Sequence, residues 1–196
     1  MITDIVILQL SDGIAVQTYR QSDAPSLSHH LSKRVWDNLR NRISQPYTEA
    51  DAASWIDFCN DDSHRVRSGK WTAENGSEGP PLPTSFAITV NDEAVGSIGL
   101  EFMDDIYFRT AEVGYWLGEE HWGKGVMSRL APAFVDWAWQ TFDILKRLNA
   151  ETAESNAASA KVLEKAGFKY EGRRPDMSCK NGKIEACLIW GALKPR

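Results

Sequence analysis

No apolar run in this chain of 196 residues approaches the ~20 that a membrane-spanning helix needs. The first residues, Met1 to Leu8, carry Asp4 where a secretory leader would carry Lys or Arg, so a leader is not expected. Cysteine is scarce: Cys59, Cys179 and Cys187 are scattered and odd in number. That argues against a disulfide framework and for a reducing, cytoplasmic setting. The four histidines show no metal-ligand spacing, and the adjacent pair His29-His30 cannot share a helical face, so no metal is expected. Basic charge is short as well. A net charge of −5 argues against a broad nucleic-acid surface, though not against a local basic patch. There is no internal repeat and no sign of a second domain, so residues 1–196 read as one domain. What is there is ordinary for a soluble globular protein: 42% hydrophobic and 25% charged residues, with enough length for a full core. The 8 tryptophans read as core and pocket walls.

Ile5 to Leu8 and Ile14 to Tyr19 flank the turn signal Ser11-Asp12-Gly13 and read as strands. Ser26 to Arg42 has apolar residues at near-helical spacing, for one or two helices. Thr48 with Asp51 forms a helix start whose apolar face would bury Ala52, Trp55, Ile56 and Cys59. The stretch 71–84, with two glycines and Pro80, Pro81 and Pro83, predicts a flexible loop without regular structure. Two strands surround Asn91-Asp92, a hairpin signature. Residues 106–109 fit strand or loop. A strand over 112–117 follows, then a glycine turn and a helix to about Thr141, which Pro132 should kink. Leu145 to Thr152 reads as a strand, and Asn156 to Ala166 as a helix stopped by Gly167. Two final strands are joined at Lys180-Asn181-Gly182-Lys183. The order predicts an α+β fold with a mixed, mostly antiparallel sheet and one parallel crossover.

The glycine turn, Trp122-Gly123-Lys124-Gly125-Val126-Met127-Ser128, carries most information. Glycines let backbone approach a ligand, and the free N–H groups and dipole of a helix start favour phosphate. A nucleotide P-loop needs four residues between its glycines and a following Lys-Ser/Thr, and neither is present. A dinucleotide fingerprint needs a third glycine where Ser128 stands, which weakens that reading. A short pyrophosphate cradle remains.

The segment EVGYWLGEEHWGKGVMSRL, followed downstream by NAASAKVLEKAGFKYEG, resembles the GNAT superfamily of acyl-CoA-dependent N-acetyltransferases, in particular the branch related to ribosomal-protein (Rim-type) enzymes. QPYTEADAASWI and FAITVNDEAVGSIGL extend the resemblance over most of the chain from Tyr19. It implies a central sheet splayed between two parallel strands and flanked by helices, with acetyl-CoA as co-substrate in the V between strands 112–117 and 147–152. Pantetheine would pair with backbone at Tyr115, Trp116 and Leu117. Pyrophosphate would rest on the amides of Trp122, Gly123, Lys124, Gly125, Val126, Met127 and Ser128. Asn156 and Ser159 match the family's Asn-x-x-Ser near the thioester, and Lys161 and Lys165 would meet the 3′-phosphate ribose. The chain departs from the general pattern at Trp122, Met127 and Pro132. It also departs at Leu163, where many members place a tyrosine, so the proton donor is open.

Acetyl transfer to an amine needs a free nucleophile, a stabilised oxyanion and a protonated leaving thiolate. Amines are mostly charged at pH 7, so a carboxylate is the natural base. Glu112 is the first candidate, since alternation puts Glu112, Gly114 and Trp116 on one strand face; the competing reading is a surface ion pair. Glu101 is second and Glu185 weaker. Ser159 would contact the thioester or leaving sulfur, and its competing reading is a bond to its own turn. Asn156 caps its helix and could also face the donor. Backbone N–H groups suffice for the oxyanion. His121 reads as a solvated loop residue, and Trp122 as packed under the turn. The resemblance implies that the segment of Trp36, Arg40 and Arg42 and the region of Arg173 and Arg174 line the acceptor mouth, where Arg173 and Arg174 could attract an acidic substrate; their competing reading is a solvated edge. The expected function is direct acetyl transfer from acetyl-CoA to a primary amine, either a small amine or a protein N-terminus. The alternative is a non-catalytic acyl-CoA-binding sensor or scaffold. Neither nucleic acid nor membrane is expected as a partner, and monomer and homodimer both stay open.

Overall fold

The computed structural model describes residues 5–195; Met1 to Asp4, on which the leader argument rests in part, lie outside them. The chain runs through β1 (Val6–Gln9), β2 (Ile14–Gln17), α1 (Ala24–His30), α2 (Lys33–Trp36), α3 (Glu49–Asn60), β3 (Val66–Arg67), β4 (Trp71–Thr72), β5 (Gly76–Ser77) and β6 (Pro81–Leu82). It continues through β7 (Ser85–Val90), β8 (Glu93–Phe102), β9 (Thr110–Leu117), α4 (Val126–Thr141), β10 (Arg147–Ala153), α5 (Ala157–Lys165), β11 (Lys169–Lys180) and β12 (Lys183–Leu193). Eight strands form one sheet in the order β1-β2-β7-β8-β9-β10-β12-β11. Every neighbouring pair is antiparallel except β9 with β10. This is the mixed α+β architecture expected from the sequence.

The turns explain the hairpins. Asn91 and Asp92 have φ of 52° and 68°, and Asn181 and Gly182 have 53° and 78°. Both pairs have the positive φ that twists a two-residue turn to match its strands. The crossover from β9 to β10 runs through α4, whose apolar stripe (Val126, Leu130, Phe134, Ala138) is buried against Ile98, Leu100, Ala111, Val113 and Leu148. Each of the larger of these side chains contributes about 1.5–3 kcal/mol by leaving water. The opposite sheet face is covered by α1 and α3, where Leu27, Ala52, Ile56 and Cys59 pack with Tyr19 and Ala94. The Thr48–Asp51 capping box that starts α3 is present in both directions.

Two local expectations are corrected. Trp55 is 36% exposed rather than buried, stacking on Phe58 at the surface, while its indole N–H reaches the Tyr19 hydroxyl at 3.3 Å. Residues 71–84 hold regular structure after all. β4 pairs with β5, and β3 with β6. The segment is also pinned to the end of α4, by the Gly69 N–H on the Thr141 carbonyl and the Trp71 N–H on Asp143. Prolines are compatible with such short edge pairs because no second neighbour needs their N–H. Residues 105–107 form a short 3₁₀ turn. Helix α4 continues on both sides of Pro132, which has no N–H for the Ser128 carbonyl.

Candidate active site

The parallel pair β9–β10 is joined at three positions, Thr110↔Arg147, Ala111↔Leu148 and Glu112↔Asn149, and its pairing ends there. Beyond that point β9 stays with β8 as far as Leu117, and β10 stays with β12 as far as Ala153. The two strands therefore part into a V. The edge of β9 from Val113 to Leu117 that faces β10 has no strand partner among the described residues. Such an edge takes an extended ligand as an added strand.

At the end of β9 the chain turns through Glu119–His121 into the glycine turn. Gly123 and Gly125 have φ of 72° and 75°, and open space lies where a Cβ would project from either. The first helical bond of α4 is Arg129 N–H to the Gly125 carbonyl, so the amides of Val126, Met127 and Ser128 find no backbone acceptor among the described residues. Burial of Val126 and Met127 fixes this helix start against the sheet. Lys165 brings its ammonium within 3.4 Å of the Ser128 hydroxyl, and Lys161 is exposed on the same helix. An extended edge leading to amides without a backbone acceptor, with a cation at their rim, fits the thioester arm and pyrophosphate of an acyl-CoA. Trp122 is not packed under the turn as expected. It is 38% exposed, its indole N–H donates to the Leu117 carbonyl at 2.7 Å, and Arg34 lies over its ring.

Glu112 sits where the V opens, on the face that β9 turns toward α1 and α3, as alternation required: Trp116 packs into that layer. Its cross-strand neighbour is Glu101. Arg40 forms an ion pair with Glu112 and lies 3.7 Å from Glu101, and Arg42 is 3.3 Å from Glu101. Burial raises the Glu112 pKa above the usual carboxylate range; Arg40 opposes this, while Glu151 and Glu101 add to it. A cleft of about 380 Å³ opens here between Arg40, the two glutamates, Met103, Asp104 and Tyr107. Glu185 is a different kind of group. It is held by Lys183 and by both the N–H and hydroxyl of Ser155, and these bonds push its pKa down to about 2.

Helix α5 follows β10 on the far side of the V. Asn156 caps it, accepting the Ser159 N–H at 3.1 Å. The Ser159 hydroxyl lies 2.7 Å from the Tyr115 hydroxyl, which is also 3.2 Å from the Ser159 carbonyl. Leu163 is buried in the core.

The remaining residues expected at the mouth are held by partners. Trp36 donates to the Ile43 carbonyl at 2.7 Å and carries Lys180 over its ring. Arg173 makes a two-point pair with Glu154, at 2.6 and 2.9 Å, and Arg174 meets Glu151 at 3.1 Å. His121 is partly buried rather than simply solvated, and burial lowers its pKa. The histidines do come together in space, although the sequence shows no ligand spacing: His29, His30 and Glu120 each place one potential ligand atom within 4.8 Å of the others. Sequence adjacency did not separate the two rings, because α1 ends at His30, and the third group arrives from the turn after β9. An ion pair was the competing reading for Glu112, but the sequence named neither Arg40 as its partner nor Tyr115 as that of Ser159. Alternation does put Tyr115 on the face opposite Glu112, which is the one signal the sequence held for the second contact.

The acetyltransferase (GNAT) domain family matches residues 14–169, and the chain belongs to that family. Among curated relatives, the uncharacterized N-acetyltransferase p20 of Bacillus licheniformis is 31% identical over 117 residues, which is 60% of this chain and 65% of the relative. The chain matches between 48% and 65% of the length of such relatives. In fold, it is similar to a ribosomal-protein-S5-alanine acetyltransferase from Vibrio fischeri, with a TM-score of 0.75, 19% identity and 97% of each chain covered. A ribosomal L7/L12 α-N-protein acetyltransferase in complex with coenzyme A gives 0.72 and 17%, covering 96% of this chain and 98% of that one.

Proposed function

We propose that this chain transfers an acetyl group from acetyl-CoA directly to a primary amine. The acceptor is a small amine or a protein N-terminus, as in the Rim-type branch. The observation that carries this reading is the V itself: strand pairing stops at Glu112, and the unpaired edge beyond it leads to the free amides of α4. The thioester supplies an activated acyl carbon. In this reading Tyr115 to Leu117 align the donor arm, while the amides from Gly123 to Ser128, with Lys161 and Lys165, hold its phosphates; the Trp122 N–H, expected among them, is already given to the Glu119 carbonyl. Glu112 takes the proton from the incoming ammonium, and its raised pKa suits that task. Backbone N–H groups of the splayed strand face the developing oxyanion. Glu101, Trp36, Arg173 and Arg174 shape the acceptor mouth.

Thiol release from acetyl-CoA across a panel of small amines and peptides tests the reading, and silence with every amine counts heavily against it. One observation favours a second reading. Arg40 already occupies Glu112, as a substrate ammonium would. A chain that binds acyl-CoA but keeps this pair closed is a sensor or scaffold. Tight acetyl-CoA binding by calorimetry without thiol release identifies that case.

A further inference from the structure

The family tyrosine on α5 is replaced by Leu163, which is 1% exposed and has no proton to give. A hydroxyl nevertheless reaches the same helix from the other side of the V. Tyr115 lies three residues beyond the last β9–β10 pair, so its strand has already parted from β10. Its side chain crosses to α5, and its phenol meets Ser159 Oγ at 2.7 Å. Both ends of this contact are fixed. Tyr115 is paired through its backbone with Ile98, and Ser159 is in the first turn of α5, where Asn156 Oδ1 takes its N–H.

We propose that Tyr115 is a positioning residue that orients the Ser159 hydroxyl toward the leaving sulfur and resupplies its proton. The inference rests on the acyl-transfer reading above. At rest the phenol can donate to the Ser159 carbonyl, 3.2 Å away, while Ser159 donates to the phenol oxygen. In transfer, the amine lone pair forms the new C–N bond and the displaced carbonyl pair rests on oxygen. That pair returns, the C–S bond breaks and its electrons go to sulfur. Ser159 Oγ–H passes its proton to sulfur as Tyr115 O–H passes its own to Oγ. Water reprotonates the phenolate, and the nitrogen gives up two protons to solvent by way of Glu112, the ammonium proton before attack and the second as the C–S bond breaks. Burial pushes the Tyr115 pKa up to about 12, so the phenol is protonated and available throughout the neutral range.

Tyr115→Phe keeps the ring and removes only the hydroxyl. It is expected to lower kcat by about 10²-fold, the low end for one positioned proton donor, with the KM for acetyl-CoA within about twofold. A purely packing role would not alter the number of protons in flight. The solvent deuterium dependence of kcat is therefore expected to be curved in the wild type and linear in Y115F. Calorimetric binding of CoA to Y115F shows that the variant is folded. Turnover and a deuterium dependence that Y115F leaves unchanged overturn the relay alone. No thiol release by the wild-type protein overturns the acyl-transfer reading, and the relay with it.

Discussion

Glu112 is tuned by opposing neighbours, and the sign of each can be tested separately. Burial and the two glutamates raise its pKa, while Arg40 lowers it. As the proposed base, Glu112 must be deprotonated to act, so kcat/KM should rise with pH through an apparent pKa above the ordinary glutamate value of about 4.3. Arg40→Ala removes a cation that favours the carboxylate, so this acidic limb should move to higher pH. Glu112→Gln should lose the limb along with about 10²-fold or more of kcat/KM. Thiol release measured between pH 5 and 9 reads both. A Glu112→Gln variant as fast as wild type would remove Glu112 from the mechanism. A limb that R40A moves to lower pH would contradict the electrostatic account.

The glycine turn and the α4 start act as one element, in which backbone shape and open space are both required. At Gly125, φ is 75° and nothing stands where a Cβ would project. Gly182, in the β11–β12 turn, has φ of 78° and is equally open. Alanine at either position should cost about 1 kcal/mol of stability through the same backbone strain. At Gly125 alone the added methyl would also enter the proposed phosphate cradle. Gly125→Ala should therefore weaken acetyl-CoA binding, while Gly182→Ala leaves it unchanged, as calorimetry with parallel melting curves would show. Elements of this kind are legible from sequence because their cause is local. Asn91-Asp92, Thr48 with Asp51 and Gly167 after α5 each name their own conformation. Residues 71–84 are less legible because part of their order comes from partners outside the stretch, Val66–Arg67 for Pro81–Leu82 and Asp143 for Trp71, which no local pattern announces.

At the scale of the whole molecule, the candidate site comes from one interruption in an otherwise continuous sheet. The sequence carried both strands, the turn between them and the resemblance that joins them. It did not carry where their pairing stops, or that Arg40 and Tyr115 would reach Glu112 and Ser159, since those contacts span 72 and 44 positions. The split core predicts an uneven response to ligand. The layer of α1 and α3 packs on the sheet away from α4, and its buried cluster meets the cleft strand through Trp116. If acetyl-CoA adds to the V, binding should stabilise the fold by about 2.7 kcal/mol at 100 times its Kd. Amide exchange should slow at residues 113–117 and 123–128, where backbone groups gain partners. Exchange in β1 and β2, at the opposite edge of the sheet, should change only by the global stabilisation. Protection spread evenly over all strands, or absent from both segments, would place the donor somewhere other than this V.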